Sequence, residues 1–195
     1  MKKTLPVLAI LSLLFTQKTN AQLEKGNVLV GTDVAHFDFN LGKSSGFDIN
    51  IEPKAAWFIN NNVAVGAFVQ LGFAKSGEGA PTTTTYGVGP LARYYFNDPK
   101  MNLLKHGRWF AEGNVGIQGV NVSEGGGSTN GLGLGVGPGY AYFITPNVGL
   151  ETLLKYNGVL GFGDEAYQSL LSLNFGFQIY LPGRSTVNNV KANEQ

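Results

Sequence analysis

Seven charged residues stand at one parity of alternating segments: Asp48, Glu52 and Lys54 within Phe47 to Trp57, Arg93 within Thr84 to Phe96, Glu112 within Trp109 to Gln118, and Glu151 and Lys155 within Val148 to Asn157. Four acids and three bases turned to a common side have one obvious chemistry, which is ion pairing and hydrogen bonding in a space closed to water. Asn114, Gln118 and Gln178 share that parity and supply neutral partners. Catalytic patterns are sparse. His36, with Asp38 two residues on and Ser44-Ser45 in the next turn, could be imagined in a surface lipid hydrolase, but the spacing is that of polar residues at a strand end. His106 sits between Lys105 and Arg108 as in a solvated turn. The glycine runs Gly125-Gly126-Gly127 and Gly131 to Gly139 have no following lysine and open no helix, so they cradle no phosphate. Glu124 and Asp164-Glu165 could meet a divalent cation only as loop carboxylates. No catalytic, cofactor or metal site is expected, and no nucleic-acid signature is present.

These residues lie on β-strands, because the apolar and polar sets alternate with period 2. From Phe47 to Phe73 the pattern runs up one strand, through Asn60-Asn61-Asn62, and down the next; each arm holds about 11 residues, the length a tilted strand needs to cross a bilayer. The same reading places strands within Asn27 to Leu41, Thr84 to Phe96, Trp109 to Gln118, Gly131 to Tyr142, Val148 to Asn157 and Tyr167 to Leu181, eight in all. The first strand changes parity partway, which predicts a bulge near His36. Pro53, Pro90 and Pro138 each precede two adjacent aromatics, and the unit from Pro53 to Val63 recurs 85 residues later as Pro138 to Val148. Proline inside a strand cannot donate to the ladder, so a local bulge is expected at that depth.

Composition bounds the class. Only 14% of the residues are charged and 28 are glycine, against about 25% charged in a soluble globular domain. Lys2 and Lys3, the apolar run Leu5 to Phe15 and small residues ending at Ala21 have the order of a secretory signal peptide, so residues 1–21 are expected to be cleaved. That takes Lys2, Lys3 and Lys18 from the 14 basic residues and none of the 13 acids, leaving a net charge of −2 and no polyanion-binding surface. There are no cysteines and thus no disulfides. After Ala21 no apolar run reaches the length of a membrane helix, and the other structure able to span a bilayer is a closed barrel.

Alternation alone does not say which face meets lipid. The polar face is too weakly charged for the outside of a soluble protein, and the apolar face is too bulky for the narrow inside of an eight-stranded barrel. Aromatics also gather at one end of the strands, with Trp57, Tyr94, Phe96, Trp109 and Tyr142 forming the expected interfacial girdle and Phe58, Tyr95, Phe110, Phe143 and Tyr180 beside them. The chain is therefore read as an all-β, eight-stranded antiparallel up-and-down transmembrane barrel over residues 22–181, followed by a polar tail over residues 182–195. On Ile51-Glu52-Pro53-Lys54-Ala55-Ala56-Trp57-Phe58-Ile59, Asn62-Val63-Ala64-Val65-Gly66 and the closing Phe175-Gly176-Phe177-Gln178-Ile179-Tyr180, it resembles the small outer-membrane barrels of the OmpA/OmpX-like superfamily in their stand-alone form. That resemblance implies the Gram-negative outer membrane as location, its lipid and the barrel-assembly machinery as partners, and room for a protein partner. It implies a structural, accessory or surface-interaction role; a ligand-binding surface barrel is the alternative, and a lipid-modifying enzyme the remaining one.

Overall fold

The computed structural model describes residues 23–40, 46–77, 79–97, 106–123, 128–162 and 168–183; the signal segment, most of the tail, Ser44, Ser45, Glu124, Asp164 and Glu165 fall outside them. Among the described residues there are eight strands: β1 Val28–Asn40, β2 Gly46–Asn60, β3 Val63–Lys75, β4 Thr82–Tyr95, β5 Gly107–Val122, β6 Ser128–Thr145, β7 Val148–Gly161 and β8 Gln168–Leu181. Each is antiparallel to its sequence neighbour, and β1 also pairs with β8, so the sheet closes on itself. No described helix is long and apolar enough to cross a membrane. Because the strand count is even, β1 starts and β8 ends at the same rim, here called the turn end, where the β2–β3 and β6–β7 connections are two residues each.

Closure fixes a stagger. Val28 pairs with Leu181 across the seam, whereas walking the other way round through Trp57, Val65, Ala92, Gly113, Val136 and Tyr156 arrives at Leu171, ten residues from Leu181. A closed sheet with such an offset must tilt its strands against the barrel axis, which lengthens each crossing. β5, β6 and β7 accordingly outrun the periodic segments of the sequence: Gly119 to Val122, Ser128 to Asn130 and Gly158 to Gly161 continue the ladder beyond them. Glycine and serine weaken strand propensity, but pairing to an adjacent strand outweighs that preference.

Three register shifts interrupt the ladders. The expected shift in β1 occurs between Val34 and His36. Others fall between Phe58 and Asn60 and between Phe143 and Thr145, the same place in both copies of the 85-residue repeat. Asn62 closes the first turn at φ 65, a left-handed conformation that asparagine adopts more readily than most residues. The bulge expected at the prolines is absent. Pro53 pairs with Thr32, Pro90 with Ala67 and Pro138 with Ala111 in unbroken register, and on the other side the ladder skips two pairs and resumes without a shift. Losing one N–H donor removes a bond on one edge of the strand, and neighbours paired before and after it hold the register.

The burial pattern is inverted relative to a soluble barrel. Val136 is 60% exposed, Leu173 50% and Phe175 60%, and they belong to an apolar outer band contributed by all eight strands. Inside lie Glu52, Lys54, Arg93, Glu112, Glu151 and Lys155, all buried. β6 turns Gly131, Gly133, Gly135, Gly137, Gly139 and Ala141 inward, and side chains from adjacent strands fill the space they leave. A Cβ on Gly133 would meet Gln118, one on Gly135 would meet Asn114, Asn157 and Lys155, and one on Gly139 would meet the ring of Phe110. Gly139→Val should therefore lower stability by about 1–3 kcal/mol, the usual cost of overpacking, as measured by urea unfolding in detergent micelles. Gly113→Ala, on the lipid face with its nearest neighbour 3.8 Å from the added carbon, should leave the midpoint unchanged.

Candidate functional site in the barrel lumen

The lumen is layered from the turn end inward. Adjacent aromatics in a strand point to opposite faces, so the cluster at this end divides in two. Trp57, Tyr94 and Tyr142 face outward and exposed, with Phe96 and Trp109 half-buried beside them; Tyr94 packs edge-on against Phe96 with centroids 5.3 Å apart, and Trp109 against Tyr140 at 5.1 Å. Phe58, Tyr95, Phe110, Phe143 and Tyr180, counted in sequence with the same interfacial cluster, lie inside the barrel instead and are buried. Phe58 stacks on Tyr95 at 5.9 Å, Tyr95 meets Phe110 at 5.5 Å, and Phe143 meets Tyr180 at 5.1 Å. The segment before β1 closes beneath them: Leu23 is buried in the same cluster, and its carbonyl accepts from the Asn62 N–H at 2.8 Å.

The charged layer rests on these rings. Glu112 is its hub, with Oε1 accepting from Lys54 Nζ at 2.9 Å and Oε2 from Arg93 Nη2 at 2.6 Å, while Lys155 Nζ lies 3.8 Å away. Lys54 reaches Asp33 at 2.7 Å and Glu52 at 3.2 Å; Lys155 donates to both Glu52 oxygens at 2.9 Å. Arg93 Nη1 donates to Glu151 at 2.6 Å and to the Tyr95 hydroxyl at 2.9 Å, and its guanidinium stands 4.1 Å over the Phe110 ring, a favourable place for a cation. Tyr180 donates to Glu151 at 2.6 Å and Gln178 to Asp33 at 2.8 Å. Six of the eight strands thus contribute to one hydrogen-bonded set, and β6 contributes the glycine floor against which it packs.

Of the seven charged residues picked out by parity, Glu52, Lys54, Arg93, Glu112, Glu151 and Lys155 come together. Asp48 does not join them. It is half-buried nearer the opposite rim, opposite Asp38 and Ala74, and the cations beneath it are taken by acids closer to hand. The acid that fills the place is Asp33 of β1, which parity opposite to Val30, Thr32 and Val34 could have revealed but for the change of phase at the bulge. The Tyr95 and Tyr180 hydroxyls, 2.8 Å apart, were likewise hidden among residues counted as girdle. Asp33, Glu52 and Glu112 bring carboxylate oxygens together as a metal site would, but the Lys54 ammonium occupies their centre. His36 falls at the β1 bulge, and His106 is exposed at the turn end, where its carbonyl accepts from the Phe143 N–H at 2.9 Å.

A charge left without its partner in such a place costs far more than an exposed one. Arg93→Ala strips the cation from both Glu112 and Glu151 and should lower stability by about 3–5 kcal/mol, read as a fall in the urea midpoint. Lys25→Ala, at the exposed rim, should stay within about 0.5 kcal/mol of wild type. Equal midpoints for the two variants would mean that the buried set does not hold the barrel together.

No family model matches this chain, and no curated protein matches it. Solved structures do. Neisserial surface protein A is 21% identical with a TM-score of 0.51, covering 80% of this chain and 96% of its own. The attachment invasion locus protein Ail of Yersinia pestis is 14% identical with a TM-score of 0.46 over 80% of this chain and 99% of its own. The N-terminal β-barrel domain of OprF from Pseudomonas aeruginosa is 14% identical with a TM-score of 0.44 over 80% and 98%. With eight antiparallel strands closed on themselves, an apolar exterior and a charged interior, the chain has the fold of the small eight-stranded outer-membrane β-barrels.

Proposed function

We propose that this chain is an integral outer-membrane barrel with a structural, accessory or surface-interaction role, carrying no enzymatic activity and conducting nothing appreciable through its lumen. The observation that carries this reading is the set of ion pairs at the middle of the barrel: three cations and four acids, buried and mutually bonded, stand where an aqueous path would have to run. An ion crossing there would have to displace partners that are expensive to separate. The ring cluster below adds a second, apolar obstacle. An eight-stranded barrel is also only just wide enough for its own side chains. Reconstituted wild-type protein in planar bilayers should show no stable stepwise conductance, and regular steps would defeat the reading.

Export follows from the sequence order of basic, apolar and small residues, with residues 1–21 as a cleavable signal and barrel-assembly machinery inserting the remainder. N-terminal sequencing of protein extracted from outer membranes should begin at Gln22; a retained Met1 would contradict this route. Mature chains starting there place Leu23 second, next to its buried position at the turn end.

A further inference from the structure

Beyond the charged layer, toward the rim opposite the turn end, the lumen widens into a cavity of about 810 Å³ open to solvent. Its wall carries the carboxamides Asn50, Gln70, Gln118 and Asn157, with Thr85 and Thr129 between them. Glycines make the room: Gly87 lies under both Gln70 and Gln118, Gly133 under Gln118, and Gly135 between Asn114 and Asn157 on its two neighbouring strands. We propose that this vestibule binds a small neutral saccharide, a proposal that deepens the surface-interaction role above and rests on that reading of the barrel.

The chemistry of the wall selects the ligand. No described residue lining the cavity is charged; Asp48, half-buried toward the same rim, is not among the lining residues, and Lys155 and Glu52 below are bonded to each other. A charged ligand would thus surrender its hydration without finding a counter-charge. The amides, by contrast, have capacity to spare. Gln118 stands in the wall, and Asn114, deeper on the same strand and outside the lining, is 7% exposed with neither its Nδ2 nor its Oδ1 bonded. A carboxamide offers a donor and an acceptor side by side, which suits the vicinal hydroxyls of a sugar. Val120, Val122 and Val159 around the mouth offer apolar contact to a sugar's C–H faces. A peptide is less well matched, because a closed barrel has no free strand edge on which to extend it.

The test is a titration of ¹⁵N-labelled full-length protein in phosphatidylcholine nanodiscs with maltose and N-acetylglucosamine, followed by side-chain amide resonances. The expected result is a saturable shift of the Gln118, Asn114 and Asn157 amide signals with affinity on the order of 1 mM. Gln118→Leu and, separately, Gln70→Leu should each weaken binding about tenfold, the effect of one hydrogen bond, while keeping dispersed spectra. N-acetylglucosamine 6-phosphate should bind more weakly than its neutral parent. The proposal is overturned by no saturable shift up to about 50 mM, by wild-type affinity in both variants, by tighter binding of the phosphorylated sugar, or by tighter binding of a Gly-Asn-Gly peptide. A failed titration on a dispersed, non-conducting barrel would leave the functional reading intact. Stepwise conductance would remove that reading whatever the sugars did.

Discussion

The constraint on which this structure depends is that hydrocarbon contains no water to satisfy a peptide group. Every N–H and C=O at membrane depth must find its partner within the chain, and a sheet meets that demand only by closing on itself. Closure then dictates the rest. Eight strands leave a narrow interior, the outward parity must be apolar, and the polar residues have nowhere to go but inward. Burying charges there is costly unless each is paired, so the interior becomes a hydrogen-bonded set in place of a pore lining. Glu112 shows the consequence, since one carboxylate lies within 3.8 Å of three cations drawn from β2, β4 and β7.

Volume is exchanged between strands to make this possible. β6 gives up nearly all inward side chains, and its neighbours spend the space on long polar ones: Asn114 and Gln118 from β5, Lys155 and Asn157 from β7. Uniformly large residues would overfill the interior, and uniformly small ones would leave it wet. The same exchange acts differently along the axis. Near the turn end the glycine space is taken by the Phe110 ring and the filling is apolar; toward the other rim it is taken by amides and remains open.

The internal repeat has a structural counterpart. Tyr95 and Tyr180 stand 85 residues apart, as do Phe58 and Phe143, and the pairs meet at the turn end. Their backbones are held alike, with the Tyr95 N–H bonding the Asn62 carbonyl and the Tyr180 N–H the Asn147 carbonyl, both at 2.8 Å. Each half of the barrel thus supplies one phenylalanine and one tyrosine to a common floor. The charged layer does not follow this pseudosymmetry, since the positions 85 residues after Glu52 and Lys54 are Gly137 and Gly139. The repeat serves closure and the aromatic floor, and the ion pairs are laid over it.

Much of the fold was legible because alternation is a local property. Period 2 located eight strands, the phase change in β1 located its bulge, and parity turned Glu52, Lys54, Arg93, Glu112, Glu151 and Lys155 to one face. Strand ends were less legible, because Gly158 to Gly161 and Ser128 to Asn130 are strand only by virtue of their paired neighbours. Prolines that would bulge an isolated hairpin keep register because pairing on both sides holds them. Which charge meets which is further from the sequence still. Lys54 lies between Asp33, Glu52 and Glu112, and Asp48 is left near the rim, because the ten-residue stagger of the closed sheet sets the height of each side chain in the lumen. The existence of each strand and the face its periodic residues take are local matters, since both follow from neighbours along the chain. Partners across the lumen are set by closure of the sheet, since stagger and tilt arise when the last strand joins the first.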